Sequence, residues 1–206
     1  MLRIGLTGGI ASGKSTASSR FDELGARVVD HDELARQAVR PDSAALADIA
    51  REFGDRLVVH GTLDRSALAD VVFGDDEALE RLNAIIHPYV HALAKAADRQ
   101  ARIDGVDVIV HAIPLLVETK QGGAYDVVVT VAAPVETRVA RLREERDLTE
   151  EQAMARIASQ VSDEERARWA DAVLDGSGSI DDLRRQVDRF WKDHVPASAG
   201  SRSLKG

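Results

Sequence analysis

The sequence predicts an α/β fold in which the strands of a parallel sheet alternate with helices. Short runs rich in Val, Ile and Leu, typical of buried parallel strands, recur along the chain. Segments with apolar residues three and four positions apart, typical of amphipathic helices, separate these runs. A glycine-rich loop that ends in Lys and Ser follows the first run. We therefore expect a ligand site where the strands end.

Composition limits the classes of function. The 206 residues are 44% hydrophobic and can form one domain, which we place at 1–195. Cysteine is absent, so disulfides, thiolate metal sites and cysteine nucleophiles are excluded. A net charge of −8 argues against nucleic-acid binding. We see neither a basic-then-apolar signal segment nor an apolar run of ~18 residues, and we expect a cytoplasmic protein without a membrane partner.

The first strand leads into Gly8-Gly-Ile-Ala-Ser-Gly-Lys-Ser15, which fits the phosphate-binding pattern G-x-x-x-x-G-K-[ST]. Apolar residues precede it and a helical pattern follows, so backbone N–H groups and a helix N-terminus can face an anion. We expect Lys14 to bridge β- and γ-phosphates and Ser15 to bind Mg²⁺. The alternative is an ordinary glycine turn. The predicted nucleotide-binding residues are Gly8, Gly9, Ala11, Ser12, Gly13, Lys14, Ser15 and Thr16.

The second apolar run, Ala26 to Val29, ends in Asp30-His31-Asp32. This places two carboxylates at the carboxyl end of a strand, where open α/β sheets bind ligands. Asp32 could instead cap the following helix.

A long block with helical periodicity follows, which we interpret as an insertion over 33–104. It is far longer than a minimal crossover between parallel strands, which favours a substrate-covering function. Arg65, His87 and Pro88 lie inside it. An isolated Arg is usually a solvated residue and His-Pro often marks a helix start, so both readings stay open.

Val106 to Val110 reads as a central strand and leads to Pro114-Leu-Leu-Val-Glu118. Many phosphate-loop enzymes carry an acid at this strand end to orient the metal's waters, whereas this chain has Ala112. Glu118 could face the site or be a surface acid. Asp126 to Val131 is the next predicted strand, and Pro134 ends it.

Arginines cluster on the helix predicted from Val135 to about Glu145, with Arg138 and Arg141 on one face and Arg146 just beyond. They could form ordinary surface ion pairs or supply positive charge to a migrating phosphoryl group from a movable lid. We place the lid at 135–167, with a returning helix over Gln152 to Ala167. A last strand at 172–174, a helix at 180–194 and a disordered tail at 196–206 complete the prediction, with the core formed by 1–32, 105–134 and 168–195.

Taken together, these motifs resemble those of the dephospho-CoA kinase family over about residues 1–192. The resemblance rests on the phosphate loop and on Asp30-x-Asp32, Leu63-Asp-Arg65, His87-Pro88, Pro114-Leu-Leu-x-Glu118, Arg141-Leu142, Gln160 and Ala170-Asp171. It implies a P-loop NTPase fold, a three-layer α/β/α arrangement with a five-stranded parallel sheet, a helical substrate-binding insertion and a helical lid. It also implies transfer of the γ-phosphoryl group of ATP, with Mg²⁺, to the 3′-hydroxyl of dephospho-CoA.

The resemblance further assigns roles to residues. Asp32 would accept the proton of the 3′-hydroxyl or orient that hydroxyl. Lys14 and Arg141 would be the other two catalytic residues. The substrate would contact Asp32, Arg65, His87, Pro88, Leu115 and Glu118, and the lid would carry Arg138, Arg141 and Arg146. Members often have Asp, Gln and Asn where this chain has Ala112, Arg138 and Gly176.

Two alternatives are another small-metabolite or nucleotide kinase on the same fold, and a nucleotide-operated switch. The guanine signature N-K-x-D of such GTPases does not occur in the sequence. We expect dephospho-CoA as the partner, and leave a monomer and a weak homo-oligomer both open.

Overall fold

The protein is described by a computed structural model that covers residues 1–119 and 122–195; the predicted tail, 196–206, lies outside the described residues. A five-stranded parallel sheet has the order β2-β5-β1-β6-β7. Its strands are β1 (Leu2–Gly8), β2 (Arg27–Asp30), β5 (Val108–Ala112), β6 (Val127–Ala132) and β7 (Ala172–Asp175). The five predicted strands and the α/β fold class are therefore confirmed, with strand ends shifted by one or two residues.

The chain divides into two compact units, Met1–Asp30 with the segment from Ala101 onward, and His31–Gln100. The first unit holds the sheet together with α1 (Lys14–Glu23), α6 (Val135–Arg146), α7 (Glu150–Ala158), α8 (Asp163–Trp169) and α9 (Ile180–His194). The second holds α2 (His31–Ala38), α3 (Ala44–Phe53), α4 (Arg65–Val72) and most of α5 (Asp76–Ile103).

The sheet unit is built around apolar residues of its central strands. Ile4 and Leu6 of β1 are fully buried and pack with Phe21 of α1 and Phe190 of α9. The two phenylalanine rings meet edge to face at 5.8 Å, a favourable aromatic geometry. A second cluster contains Leu116 and Val128 together with Tyr125.

The parallel register brings the carboxyl ends of the strands level with one another. Leu6 of β1 pairs with Ala112 of β5, and Ala112 pairs with Asp30 of β2. The phosphate loop, which follows β1, therefore begins at the same edge of the sheet as Ala112 on β5 and Asp30 on β2. This edge of the sheet is where the sequence places the ligand site.

The helical unit has its own core, which includes Ile49, Leu57 and Leu68. Ser43 caps α3 by accepting a hydrogen bond from the Leu46 N–H, as its position in the sequence suggests. A short hairpin of β3 (Val58–Val59) and β4 (Thr62–Leu63) was not predicted. Its two turn residues, His60 and Gly61, both have positive φ, which suits a two-residue hairpin.

Two helical expectations differ from the structure. Pro88 lies inside α5 and does not start a helix. The expected returning helix over 152–167 is two helices, α7 and α8, because Ser162 accepts a hydrogen bond from the Glu165 N–H and begins a new helix. In the part of the chain described here, no helix is both long and apolar enough to cross a membrane.

Candidate active site

The loop from Gly8 to Gly13 links β1 to α1. Its backbone has positive φ at Ala11 (59°) and at Gly13 (107°), a feature of turns that bind anions through backbone N–H groups. Gly13 is the N-cap of α1 and has no side chain with which to cap it. The first N–H groups of the helix are thus left for an external acceptor.

A cavity of about 390 Å³ opens beside this loop. Its lining includes Lys14 and Ser15 at the start of α1 and Asp30 at the end of β2, together with Ser18, Ser19, Asp22 and Val28. A cation, three serine hydroxyls and two carboxylates thus line one space. The sequence motif predicts Lys14 and Ser15 at this site, and the sequence also places Asp30 at a strand end where ligands bind, without a role of its own.

The register of the sheet distinguishes Asp30 from the other acids of the sequence. It pairs with Ala112, the strand end at which related loops commonly carry an acid. Asp30 therefore lies on the strand next to β5, directly across from Ala112, the position at which such an acid is common. A sequence without an alignment does not reveal which strands are neighbours.

Asp32, the predicted catalytic acid, lies in the first turn of α2, which begins at His31. Its side chain is exposed. Asp32 is therefore inside the helix and not at its cap, which removes the capping alternative. The acidic first turn, with Asp32 and Glu33, also suits the positive end of the helix dipole.

Arg141 contacts the phosphate loop from α6. Its Nη1 donates to the Ala11 carbonyl at 3.1 Å, and its Nη2 donates to the Gly176 carbonyl at 2.7 Å. It also lines a cavity of about 310 Å³ with Gly13, Ser15 and Gly176. The arginine therefore lies against the predicted nucleotide site.

Gly176, one of the three departures noted above, has a steric explanation. A Cβ at this residue would lie 1.9 Å from the Ser12 carbonyl oxygen. The turn after β7 therefore touches the phosphate loop backbone to backbone, and a side chain at 176 requires a different loop position.

Arg138 is 3% exposed, although the sequence suggests an accessible lid cation. Its Nε donates to the Ile10 carbonyl at 2.9 Å, and its Nη1 lies 3.4 Å from Asp163. Burial lowers the pKa of Arg138, and the Asp163 carboxylate opposes that shift. The guanidinium group is thus fixed to the loop and is not a free charge.

Glu118 also has partners in the sheet unit. Its Oε1 accepts from Arg166 Nη2 at 2.9 Å and from the Val161 N–H at 3.4 Å. Arg166 is fully buried and forms a second ion pair with Asp163 at 3.2 Å. Gln160 accepts from the Ile10 N–H at 2.8 Å. These contacts hold Glu118, and Ile10 of the phosphate loop, against the connection between α7 and α8 and the start of α8.

The remaining predicted substrate residues are exposed. Arg65 is the first residue of α4, after the cap Asp64, and His87 and Pro88 lie in the middle of α5. Leu115 is 47% exposed in the sheet unit.

Two predicted residues outside the substrate set are also placed by the structure. Arg146, predicted for the lid, is the exposed last residue of α6, and Thr16, predicted to bind nucleotide, is half-buried in α1.

The oxygen donors in the cavity beside Lys14 fit a magnesium ion. Mg²⁺ is usually bound by one or two protein oxygens and by substrate phosphates. The Ser15 hydroxyl and the Asp30 carboxylate line the same cavity as Lys14 and provide such donors.

Comparisons with known proteins indicate one family. The family model described as dephospho-CoA kinase matches residues 2–182. The dephospho-CoA kinase of Corynebacterium jeikeium is 47% identical over 93% of this chain and 98% of its own length. That of Thermobifida fusca is 44% identical over 94% and 96%.

Solved structures lead to the same group. A Thermus thermophilus protein, TT1252, has a TM-score of 0.81 at 35% identity, covering 95% of this chain and 98% of that one. The dephospho-CoA kinase of Campylobacter jejuni has a TM-score of 0.62 at 25% identity, covering 93% and 96%. Shikimate kinase from Acinetobacter baumannii, at 14% identity and a TM-score of 0.54, is similar in fold alone.

Proposed function

The chain belongs to the dephospho-CoA kinase family, and from that premise we propose which of its own residues carry out the reaction. The protein phosphorylates dephospho-CoA with ATP, a step of coenzyme A biosynthesis. The observation that best supports our assignment of residues is the cavity in which Lys14, Ser15 and Asp30 meet at the end of the sheet.

The phosphate loop binds the triphosphate of ATP. Backbone N–H groups of the loop and the start of α1 surround the phosphate oxygens, and the Lys14 ammonium neutralises charge on the β- and γ-phosphates. The Ser15 hydroxyl and the Asp30 carboxylate would hold Mg²⁺, and the bound ion would supply further neutralisation of phosphate charge.

The transfer forms a bond from the 3′-oxygen of the substrate to the γ-phosphorus, while the bond from that phosphorus to the bridging oxygen of ADP breaks. Asp32 orients the hydroxyl and accepts its proton. Arg141, already against the loop at Ala11, neutralises charge that spreads over the phosphoryl oxygens. Arg146 adds positive charge from the end of the same helix.

The rest of the substrate is bound by residues outside the loop. Arg65 and His87 provide charge and hydrogen bonds for the anionic parts of dephospho-CoA, and Pro88 and Leu115 provide apolar contacts. A cytoplasmic location suits an enzyme that consumes ATP and a soluble coenzyme precursor.

The role of Asp32 is tested by the Asp32→Asn variant. We expect kcat to fall by about 10²- to 10⁴-fold, the usual contribution of a positioned acid or base, while the Kd for ATP stays unchanged. Glu33→Gln is the matched control, because Glu33 is an exposed acid in the same turn that pairs with Arg36 at 2.8 Å. Wild-type turnover in Asp32→Asn would refute the assignment.

Asp30→Asn separates the two acids. We expect this variant to need a higher Mg²⁺ concentration for half-maximal ATP binding, because one oxygen donor of the cavity loses its charge. An unchanged Mg²⁺ dependence of ATP binding would remove Asp30 from the metal site.

A further inference from the structure

Arg138 is an unusual residue to bury, because arginine is almost never fully buried unless it is paired. It lies one turn into α6, and its backbone N–H donates to the Pro134 carbonyl at 3.1 Å. Burial of a guanidinium group removes it from water and is unfavourable without compensation. The contacts of the buried guanidinium group therefore indicate what Arg138 does in the protein.

The first of these contacts is with the tip of the phosphate loop. Arg138 Nε donates to the Ile10 carbonyl at 2.9 Å, and the Ile10 N–H donates to Gln160 Oε1 at 2.8 Å. Both peptide groups of Ile10 are therefore held by side chains from elsewhere in the sheet unit. The loop is thereby fixed at the residue between Gly9 and Ala11.

A chain of ion pairs holds Arg138 in turn. Its Nη1 lies 3.4 Å from Asp163, Asp163 pairs with Arg166 at 3.2 Å, and Arg166 pairs with Glu118 at 2.9 Å. The Val161 N–H donates to the same Glu118 oxygen at 3.4 Å. Val161 follows Gln160 in the chain, so the contacts form a closed ring that starts and ends at Ile10.

Gly9 shows how closely Arg138 approaches the loop. A Cβ at Gly9 would lie 2.6 Å from Arg138 Nη2 and 2.7 Å from its Cζ. Unlike Gly13, Gly9 does not have a positive φ, so its backbone would accept another residue. A side chain at Gly9 would therefore displace the guanidinium group from its contacts with Ile10 and Asp163.

We infer that Arg138 is a positioning residue of the phosphate loop, which together with Gln160 fixes Ile10 in the conformation that binds ATP. This role rests on the proposed function of the loop. It differs from the role expected for a lid cation, which would act on the phosphoryl group during transfer.

The two roles predict different changes in Arg138→Ala, which removes the guanidinium group and leaves no side-chain donor for the Ile10 carbonyl. Loss of positioning raises the Kd of Mg·ATP, measured by calorimetry without dephospho-CoA, by about ten-fold, the effect of one hydrogen bond to a charged group. The KM for dephospho-CoA stays unchanged. Arg143→Ala is the control, since Arg143 is exposed on the same helix and its pair with Glu150 is 3.8 Å long.

Two further variants keep the inference falsifiable if Arg138→Ala does not fold. Gln160→Ala removes the acceptor of the Ile10 N–H without changing a buried charge, and should also raise the Kd of Mg·ATP several-fold. Gly9→Ala should weaken ATP binding more in the wild-type background than in Arg138→Ala, because the clash with the guanidinium group is then relieved.

An unchanged Kd of Mg·ATP in Arg138→Ala or in Gln160→Ala would overturn the positioning role. Equal effects of Gly9→Ala in both backgrounds would also overturn it. Failure of the proposed function is a separate result, because it would appear in the wild-type protein as the absence of coenzyme A formation.

Discussion

Gly176→Ala introduces a single methyl group at the point where the turn after β7 meets the phosphate loop. The new Cβ would lie 1.9 Å from the Ser12 carbonyl oxygen, whereas real Cβ contacts essentially never fall below 3.0 Å. The two backbones must therefore separate by at least about 1 Å, which close-packed interiors resist.

The surroundings of Gly176 oppose that separation. Its N–H donates to the Ala132 carbonyl at 2.7 Å, and its carbonyl accepts from Arg141 Nη2 at 2.7 Å. The turn is thus held on the sheet side and on the α6 side. We expect the loop to move instead, at a cost of about 1–3 kcal/mol in the free energy of unfolding, as for other overpacked sites.

A loop displaced by about 1 Å should also function poorly, because misplacement of this size can cost about 10²-fold in rate. We expect Gly176→Ala to raise the Kd of Mg·ATP and to lower kcat/KM by one to two orders of magnitude. Urea unfolding, calorimetry and a steady-state assay measure the three effects.

Gly123→Ala is the matched control. A Cβ at Gly123 would have no described atom within 4 Å, and its φ is not positive. Its free energy of unfolding should change by less than about 0.5 kcal/mol. Wild-type stability and ATP binding in Gly176→Ala would refute the steric reasoning.

Two further predictions concern stability. Ala11→Gly should raise the free energy of unfolding, measured in urea, by about 0.5–1 kcal/mol. Ala11 has φ 59°, and the relief of this left-handed strain exceeds the added entropy of the unfolded chain. A destabilised variant would contradict this prediction. Arg184 and Arg20 lower the pKa of Glu23 from 4.5 to about 2, so their pairs with Glu23 stabilise the fold above pH 4.5 and this contribution is lost as the pH falls toward 2. Glu23→Gln should therefore lose less stability than the wild type between pH 5 and 2 in urea titrations, and parallel curves would contradict the linkage.

Local patterns explain why most of the sheet unit was predictable. The strands are continuous apolar runs, and α9 begins where predicted because Ser179 and Asp182 form a capping box. The phosphate loop was found because its spacing is dictated by backbone geometry within eight residues. Such features depend on neighbours in the sequence.

The buried ring of charges depends on residues far apart in the sequence. Arg138 and Ile10 are separated by 128 positions, and Arg166 and Glu118 by 48. Charged residues on a helix are usually solvated, so the sequence offered no reason to bury Arg138 or Arg166. The i, i+3 spacing of Asp163 and Arg166 was the one local sign of a pair.

The register of the sheet explains why the sequence alone did not place Asp30 in the same cavity as Lys14. Asp30 and Ala112 are neighbours only because β2 lies beside β5. The strand order places the second strand of the chain next to the fifth, which pattern analysis does not determine. The sequence places Asp30 at a strand end where ligands bind, and the structure adds that Asp30 lines the same cavity as Lys14.

The most direct test incubates the purified protein with ATP, Mg²⁺ and dephospho-CoA and identifies the product by mass spectrometry, beside the Lys14→Ala variant. Our account predicts coenzyme A and ADP in equal amounts from the wild type, and a loss of product in Lys14→Ala because the loop can no longer neutralise the β- and γ-phosphates. Absence of coenzyme A with the folded wild-type protein, or equal turnover by Lys14→Ala, would contradict it.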